Sequence, residues 1–215
     1  MRLTGRRESN NIEDRRGNSI TNIAGIGGIG GVIIIVLITL LSGGDMGDIV
    51  NNVFQQEMQG QVEKSSERNQ KAFTEEENKL ANFSKQILAG TEDVWSEQFQ
   101  KHEMHYKYPT LVLYTGSVET SCGNGSAAMG PFYCSADQKL YLDLSFFTSM
   151  RRELGIQAKG DLDFAYAYVI AHEVGHHVEY LRGILSKCHT KMAQVDKINA
   201  NKLSVKLELL ADYYA

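Results

Sequence analysis

The chain has 215 residues, of which 42% are hydrophobic, and a formal net charge of −4 at pH 7. This length allows one domain of ordinary size with short appendages, and the apolar content is sufficient for a core. The slight negative charge gives no support for nucleic-acid binding, and we expect none.

The N-terminal segment is basic and precedes a long uncharged stretch. Residues 1–19 contain five arginines and three acidic residues, whereas the 19 residues from Ile23 to Leu41 carry no charge. A helix of this length is just long enough to cross the bilayer core. Arg15 and Arg16 flank the span and place the N-terminus in the cytoplasm by the positive-inside rule. We therefore predict a basic cytoplasmic segment at 1–22 and a transmembrane anchor at 23–41.

A cleaved signal peptide is the alternative to a retained anchor. Only residues 32–41 are strongly apolar, and small residues suited to cleavage follow them. The long leading segment with its three acidic residues favours retention, and the many glycines argue against a buried core helix. Both interpretations place the rest of the chain outside the cytoplasm.

The remainder divides into a linker and a domain. Residues 42–70 are polar and predict a tether, and residues 71–215 predict the domain. Apolar residues at helical spacing predict a helix around residues 80–88, and Thr91 is predicted to cap a second helix. Residues 111–118 and 139–147 have the pattern of strands.

Two cysteines flank a glycine-rich loop between these strands. Cys122 and Cys134 are separated by eleven residues, and a disulfide between them is plausible outside the cytoplasm. A pair of metal ligands is the alternative, although structural zinc sites usually use closely spaced cysteines. Cys188 is assigned no role.

The segment HEVGHH, residues 172–177, is the most informative feature of the chain. Asp161 or Asp163 can start a helix around it, and Gly183 can end that helix. On such a helix His172 and His176 lie one turn apart on one face and can bind one metal ion. Glu173 lies one step round the helix, where it can contact water on that metal. This is the pattern of zinc peptidases.

The terminal helix supplies a candidate third ligand. Glu208 follows His176 by 32 residues, and Asp212 lies four residues further on the same helix face. Two histidines and a glutamate form a ligand set used by catalytic zinc, and Asp212 is placed to orient one of the histidines. We expect one Zn²⁺ per chain.

The chemistry expected of this site is peptide hydrolysis. Zinc lowers the pKa of its bound water, and Glu173 would take the proton of that water and pass it to the leaving amine. Tyr213, Tyr214 and His177 are candidates for stabilising the oxyanion. The strand at 139–147 could pair with an extended substrate.

The chain resembles the bacterial putative neutral zinc metallopeptidase family. The resemblance rests on GRRESNNIEDRRG, the glycine run before the apolar span, TEDVW, GPFYCSADQKLYLDLSFF, AYVIAHEVGHHVEYLRGI and ELLAD, in this order. It implies a membrane-anchored zinc protease with His172, His176 and Glu208 as ligands and Glu173 as acid/base. Members usually continue beyond the ELLAD helix, so we expect a C-terminally truncated domain. Where members commonly have Cys-Phe, this chain has Tyr213-Tyr214, which makes Cys188 harder to pair.

Together these features predict an α+β fold with an N-terminal membrane helix, followed by a mainly helical, zincin-like domain with a small antiparallel sheet. The predicted function is hydrolysis of peptide or protein substrates by zinc-activated water, in a single-pass protein of the bacterial cell membrane that does not bind nucleic acid. The alternative is a zinc-stabilised extracytoplasmic interaction or scaffold module without proteolytic activity.

Overall fold

A computed structural model describes residue 3 and residues 5–17, 73–153 and 162–215. The described residues form five α-helices: α1 Glu75–Lys101, α2 Ser145–Glu153, α3 Asp163–Leu181, α4 Ile184–Met192 and α5 Lys197–Tyr214. They also form six strands: β1 Ile12–Asp14, β2 Thr110–Tyr114, β3 Ser117–Thr120, β4 Gly123–Ser126, β5 Phe132–Cys134 and β6 Lys139–Asp143. The fold therefore mixes α and β elements, as predicted.

The predicted transmembrane anchor at 23–41 and linker at 42–70 lie outside the described residues. Among the helices of the described ranges, none combines the length and the apolar character needed to cross a membrane.

Helix α1 is one continuous helix of 27 residues where the sequence predicted two. It begins with a capping box in which the Thr74 side chain accepts from the Glu77 backbone and Glu77 accepts from the Thr74 backbone. Thr91 was expected to cap a second helix, but its hydroxyl donates to the Leu88 carbonyl at 2.8 Å within the helix. Threonine makes such bonds inside helices as well as at their ends, which explains the error.

The main sheet is mixed, with strand order β1-β2-β6-β5. Strand β1 is parallel to β2, β2 is parallel to β6, and β5 is antiparallel to β6. The small antiparallel sheet expected from the sequence corresponds to the separate two-stranded pair β3–β4. Within the described chain the open edges of the main sheet are therefore β1 and β5.

Strands β2 and β6 end at Tyr114 and Asp143, earlier than the predicted ends at residues 118 and 147. Hydrogen bonds of the Asp143 side chain explain both end points. The backbone turns at Gly116, whose φ of +77° favours glycine. The Asp143 carboxylate accepts from the Gly116 backbone at 2.7 Å and from the Ser145 backbone at 2.8 Å. The first bond holds the turn after β2, and the second holds the start of α2. Residues 145–147, predicted as strand, are helical for this reason.

Residues 5–17 belong to the same folded unit as the predicted domain. The buried carboxylate of Glu92 on α1 accepts from Ser9 Oγ at 2.5 Å, Asn11 Nδ2 at 2.8 Å and Arg7 Nη1 at 2.9 Å. Strand β1 then pairs with β2. A buried carboxylate is costly unless it is paired, so Glu92 requires these N-terminal partners.

The core lies between the sheet and helices α1 and α3. Alternate residues of the two central strands point toward the helices, and the intervening ones point to the opposite face. The helix-facing residues from these strands are Leu111, Leu113, Leu140 and Leu142, all at most 1% exposed. The side chains that meet them from the helices include Leu88, Phe99, Ile170, Val174 and Val178. The sheet thus supports the helix that carries the HEVGHH segment.

Helices α3 and α5 approach closely at Gly175. A Cβ atom built on Gly175 would lie 2.6 Å from the Ala211 carbonyl oxygen and 2.9 Å from the Ala211 Cα. Both contacts involve backbone, which cannot move aside as a flexible side chain can. Glycine at 175 and alanine at 211 therefore set the distance between the two helices.

Gly175→Ala is expected to lower the free energy of unfolding by about 1–3 kcal/mol, because the added methyl forces α5 away from α3. Chemical denaturation of the purified protein measures the change. Gly90→Ala in α1 is the matched control, because no atom lies within 4 Å of its added Cβ. That control should leave the stability unchanged or raise it by about 0.5–1 kcal/mol. Equal effects of the two substitutions would contradict the close-approach interpretation.

Candidate metal centre

His172 and His176 lie on one face of α3 and are 2% and 7% exposed. Each Nδ1 atom faces a carboxylate: His172 Nδ1 lies 2.8 Å from Asp212 Oδ1, and His176 Nδ1 lies 2.9 Å from Glu179 Oε2. Since a carboxylate only accepts, each Nδ1 carries a proton and donates it. The Nε2 atom of each ring therefore points away from these carboxylates, and its lone pair is available to bind a metal ion.

Glu208 from α5 reaches the same point. Its Oε2 atom lies 3.4 Å from His172 Nε2 and 3.5 Å from His176 Nε2. The ligand atoms of these three residues all lie within 4.8 Å of one another. The structure therefore brings together the three residues predicted as ligands, although they come from two helices.

The arrangement fits a zinc ion. His172 Nε2, His176 Nε2 and Glu208 Oε2 are all buried and without a hydrogen-bond partner. Tetrahedral zinc holds N and O ligands about 2.0–2.2 Å away, so neighbouring ligand atoms lie about 3.3–3.6 Å apart. The separations of Glu208 Oε2 from the two Nε2 atoms, 3.4 and 3.5 Å, fall in that range. Three unpaired polar atoms converging in a buried place are costly unless a cation satisfies them.

Electrostatics within the protein couple these groups strongly. Burial lowers the pKa of His176, but the carboxylates of Glu179 and Glu208 outweigh it and raise that pKa to about 10. Burial raises the pKa of Glu208, but the facing side chains of His172 and His176 outweigh it and lower that pKa to about 2. The carboxylates thus favour a positive charge at the point where the three side chains converge.

Glu173 is 3% exposed and lies on α3 beside the ligand set. Its Oε2 atom is buried without a hydrogen-bond partner. Burial raises the pKa of Glu173, while the charges of His172 and His176 act in the opposite direction. A carboxylate with an uncommitted oxygen and a raised pKa is suited to accept and release a proton.

Two of the three candidates for oxyanion stabilisation are engaged elsewhere, and Tyr213, which is 83% exposed, stays a prediction. The Tyr214 ring packs against Trp95 with ring centroids 5.3 Å apart, and its hydroxyl accepts from Arg182. His177 is fully buried, and both of its ring nitrogens are occupied, by the Tyr133 hydroxyl and the Lys107 carbonyl. It therefore has no free N–H for a substrate.

The predicted disulfide is present between Cys122 and Cys134, with Cα atoms 5.8 Å apart. It connects the start of β4 to the end of the edge strand β5. Cys188 is a free, half-buried thiol on α4.

Comparison with known proteins agrees with this geometry. Residues 1–215 match the family described as "Putative neutral zinc metallopeptidase". The chain belongs to this family. The "Uncharacterized protein YpfJ" of Escherichia coli K12 is 41% identical over 219 residues, which cover all of this chain and 73% of that protein. The "Uncharacterized protein Rv2575" of Mycobacterium tuberculosis is 40% identical over 110 residues, or 51% of this chain and 35% of that protein. No solved structure matches the chain significantly.

Two members of this centre were not predicted from the sequence. Glu179 is fully buried three residues after His176, and the Tyr168 hydroxyl donates to Asp212 Oδ1 at 2.8 Å. The spacing of Glu179 was a usable signal, since residues three apart on a helix are neighbours. Asp212 was predicted as the residue that orients a ligand histidine, and it contacts His172 as described above.

Glu179→Gln is expected to weaken zinc binding by about 10-fold, because the carboxylate that orients and polarises His176 loses its charge. Titration of the metal-free protein with zinc against a competing chelator measures the affinity. Exposed Glu97→Gln on α1 removes the same charge away from the site and should leave the affinity unchanged. An affinity unaffected by Glu179→Gln would show that this carboxylate only fills the core.

Proposed function

We propose that the protein is a zinc-dependent metallopeptidase that hydrolyses peptide bonds. The observation that supports it most directly is the convergence of three buried, unpaired ligand atoms beside a fourth residue, Glu173, with an uncommitted oxygen. His172, His176 and Glu208 would hold one Zn²⁺. Membership of the zinc metallopeptidase family points to the same class of chemistry.

Each residue around the ion would have a separate role in hydrolysis. Bound Zn²⁺ supplies a Lewis acid that lowers the pKa of water toward about 7 and polarises a carbonyl. Glu173 Oε2 accepts a proton from the attacking water and delivers it to the leaving amine nitrogen. Asp212 and Glu179 keep the proton on each Nδ1, so that both Nε2 lone pairs stay directed at the metal.

The substrate we propose is an extended peptide segment that pairs with β5. The strand at 139–147 was the expected partner, but β6 lies between β2 and β5 and has no free edge. Strand β5 is an edge strand, and its Tyr133 backbone amide interacts with the Glu173 carboxylate. An extended peptide added to this edge would therefore run past the proton-transfer residue.

The number of protein ligands favours catalysis over a purely structural zinc site. Structural zinc is usually bound by four side chains, whereas catalytic zinc has three and leaves a position open. Within the described chain, the cluster of candidate ligands contains three residues. An interaction module without activity would also have no need for a buried, unpaired carboxylate oxygen at Glu173.

An extracytoplasmic location for the domain belongs to the same proposal. The Cys122–Cys134 disulfide supports it, because disulfides persist mainly in oxidising compartments. Attachment to a bacterial cell membrane through residues 23–41 stays a prediction from the sequence, but a single crossing by that segment would separate strand β1 from β2, with which it pairs.

The test is a paired measurement of zinc content and peptide cleavage on wild type, Glu173→Gln and Glu208→Ala. Wild type should bind one zinc and cleave casein or members of a peptide library. Glu173→Gln should keep the zinc and lose about 10²- to 10⁴-fold in kcat/KM, the range attributed to acid–base catalysis. Glu208→Ala should lose zinc affinity and activity together.

Two results would count against the proposal. If wild type and Glu173→Gln both bind one zinc and neither cleaves any substrate, the interaction-module alternative is favoured. If Glu208→Ala leaves zinc affinity unchanged, Glu208 is not a ligand.

A further inference from the structure

His177 is a buried residue that the metal chemistry does not use. It follows the ligand His176 in the chain, yet its side chain points to a different face of α3 and is 0% exposed. Its Nε2 atom lies 2.6 Å from the Lys107 carbonyl oxygen, and its Nδ1 atom lies 2.9 Å from the Tyr133 hydroxyl. A carbonyl can only accept, so Nε2 carries the proton and Nδ1 accepts from Tyr133.

Tyr133 is the middle residue of the edge strand β5, and it contacts helix α3 through both its side chain and its backbone. Its side chain donates to His177, and the two rings pack edge to face with centroids 5.3 Å apart. Its backbone amide faces Glu173. Glu173 and His177 are four residues apart, so they are neighbours on the same face of α3. One residue of the strand is thus fixed to His177 by its side chain while its backbone lies against the proton-transfer residue.

The other side chains of the strand hold its two ends, since Phe132 stacks on Tyr141 with ring centroids 4.9 Å apart and Cys134 forms the disulfide. The strand has three residues and pairs with β6 on one side only. A strand this short depends on side-chain anchors to keep its position on a neighbouring helix. The Cys134 disulfide holds one end of it to β4, and the Tyr133–His177 bond holds its centre to α3.

We propose that His177 and Tyr133 are positioning residues, whose hydrogen bond fixes strand β5 against α3 and thereby sets the position of Glu173 and of the substrate edge. The inference deepens the proposed peptidase function and rests on it. Neither residue touches the reacting atoms; they act through the strand. The Lys107 carbonyl fixes the tautomer of His177, which makes Nδ1 an acceptor for Tyr133 rather than a competing donor.

The test compares four variants that remove or keep the hydrogen bond between the Tyr133 hydroxyl and residue 177. Tyr133→Phe removes the donor, and His177→Gln keeps an N–H for Lys107 but loses the acceptor near the Nδ1 position. His177→Asn keeps an acceptor near that position. The fourth variant combines Tyr133→Phe with His177→Gln. Zinc content, kcat, KM and hydrogen exchange at the β5 amides are measured for each folded protein.

We expect Tyr133→Phe and His177→Gln to lower kcat by about 10-fold with one zinc still bound, because the reacting groups are displaced without loss of the metal. The double variant should lose no more than the single ones, since both remove the same bond. His177→Asn should retain most of the activity. Faster exchange at residues 132–134 in Tyr133→Phe and His177→Gln reports the same loosening without any need for catalysis.

The outcomes separate this inference from the proposed function. Unchanged kcat and unchanged exchange in Tyr133→Phe would overturn the inference while leaving the peptidase intact. Fully additive losses in the double variant would also overturn it. A wild type without cleavage activity overturns the peptidase proposal, and the exchange measurement then still decides whether the Tyr133–His177 bond holds β5.

A second inference follows independently from strand β1. Its parallel pairing with β2, and the three bonds from Arg7, Ser9 and Asn11 to buried Glu92, bind residues 5–17 into the domain. A chain that crossed a membrane once between residues 17 and 73 would place these partners on opposite sides. We infer that the N-terminal segment and the domain share one compartment. The sequence analysis expected the N-terminus in the cytoplasm and the domain outside it. This inference replaces that expectation, because it places both on the same side of the membrane.

Cysteine labelling of the full chain in cells tests this inference. In a Cys188→Ser background, which leaves only the disulfide-bonded Cys122 and Cys134, one free cysteine is introduced either by Arg6→Cys or by Lys202→Cys, both at exposed positions; the parent without an introduced cysteine gives the background labelling. A membrane-impermeant maleimide should label both in intact cells to the same extent. Labelling of one cysteine in intact cells and of the other only after permeabilisation would overturn the inference. If both require permeabilisation, the shared compartment is supported and the extracytoplasmic location is wrong.

Discussion

The candidate metal centre depends on the close contact between helices α3 and α5 at Gly175 and Ala211. Gly175 lies between the two ligand histidines, and Ala211 lies between Glu208 and Asp212 in sequence. Because a Cβ at 175 would meet the Ala211 backbone at 2.6 Å, the contact permits no side chain there. One contact therefore sets two interactions, the approach of Glu208 to both Nε2 atoms and that of Asp212 to His172. Neither would form if α5 stood further from α3.

Each buried histidine of the centre has a carboxylate on both sides of its ring. These carboxylates offset the cost of removing the histidine from water. Asp212 and Glu179 face the Nδ1 atoms, and Glu208 faces the Nε2 atoms. Burying so many charges is expensive unless each is paired. The histidine protons are satisfied by carboxylates, but the Nε2 atoms and one oxygen of Glu208 are not. A divalent cation would complete the balance, which would explain why the fold tolerates this cluster next to its core.

Local patterns in the sequence were sufficient to predict the motif helix, the three side chains that converge from α3 and α5, the contact of Asp212 and the disulfide, because helical spacing and cysteine spacing are short-range signals. Contacts that join distant parts of the chain were missed. Strand β1 has three residues, two of them acidic, and its position follows from Glu92, about 80 residues away. The buried role of His177 likewise depends on Tyr133 and Lys107, which no periodicity connects to it. Helix α1 was divided in two because threonine has the same side-chain chemistry inside a helix as at its start.

The two edges of the main sheet differ in a way that bears on substrate binding. The β1 edge carries Glu13 and Asp14, which are tied to Arg15, Arg16 and Lys139. Charged side chains on an edge strand discourage pairing with another chain. The β5 edge lies beside Glu173 instead, and its centre is fixed by the bond to His177. If an extended peptide adds to this sheet, the charges at β1 disfavour that edge, and the β5 edge would place the peptide beside Glu173. The position of β5 is thus the link between the fold of the sheet and the chemistry of the helix.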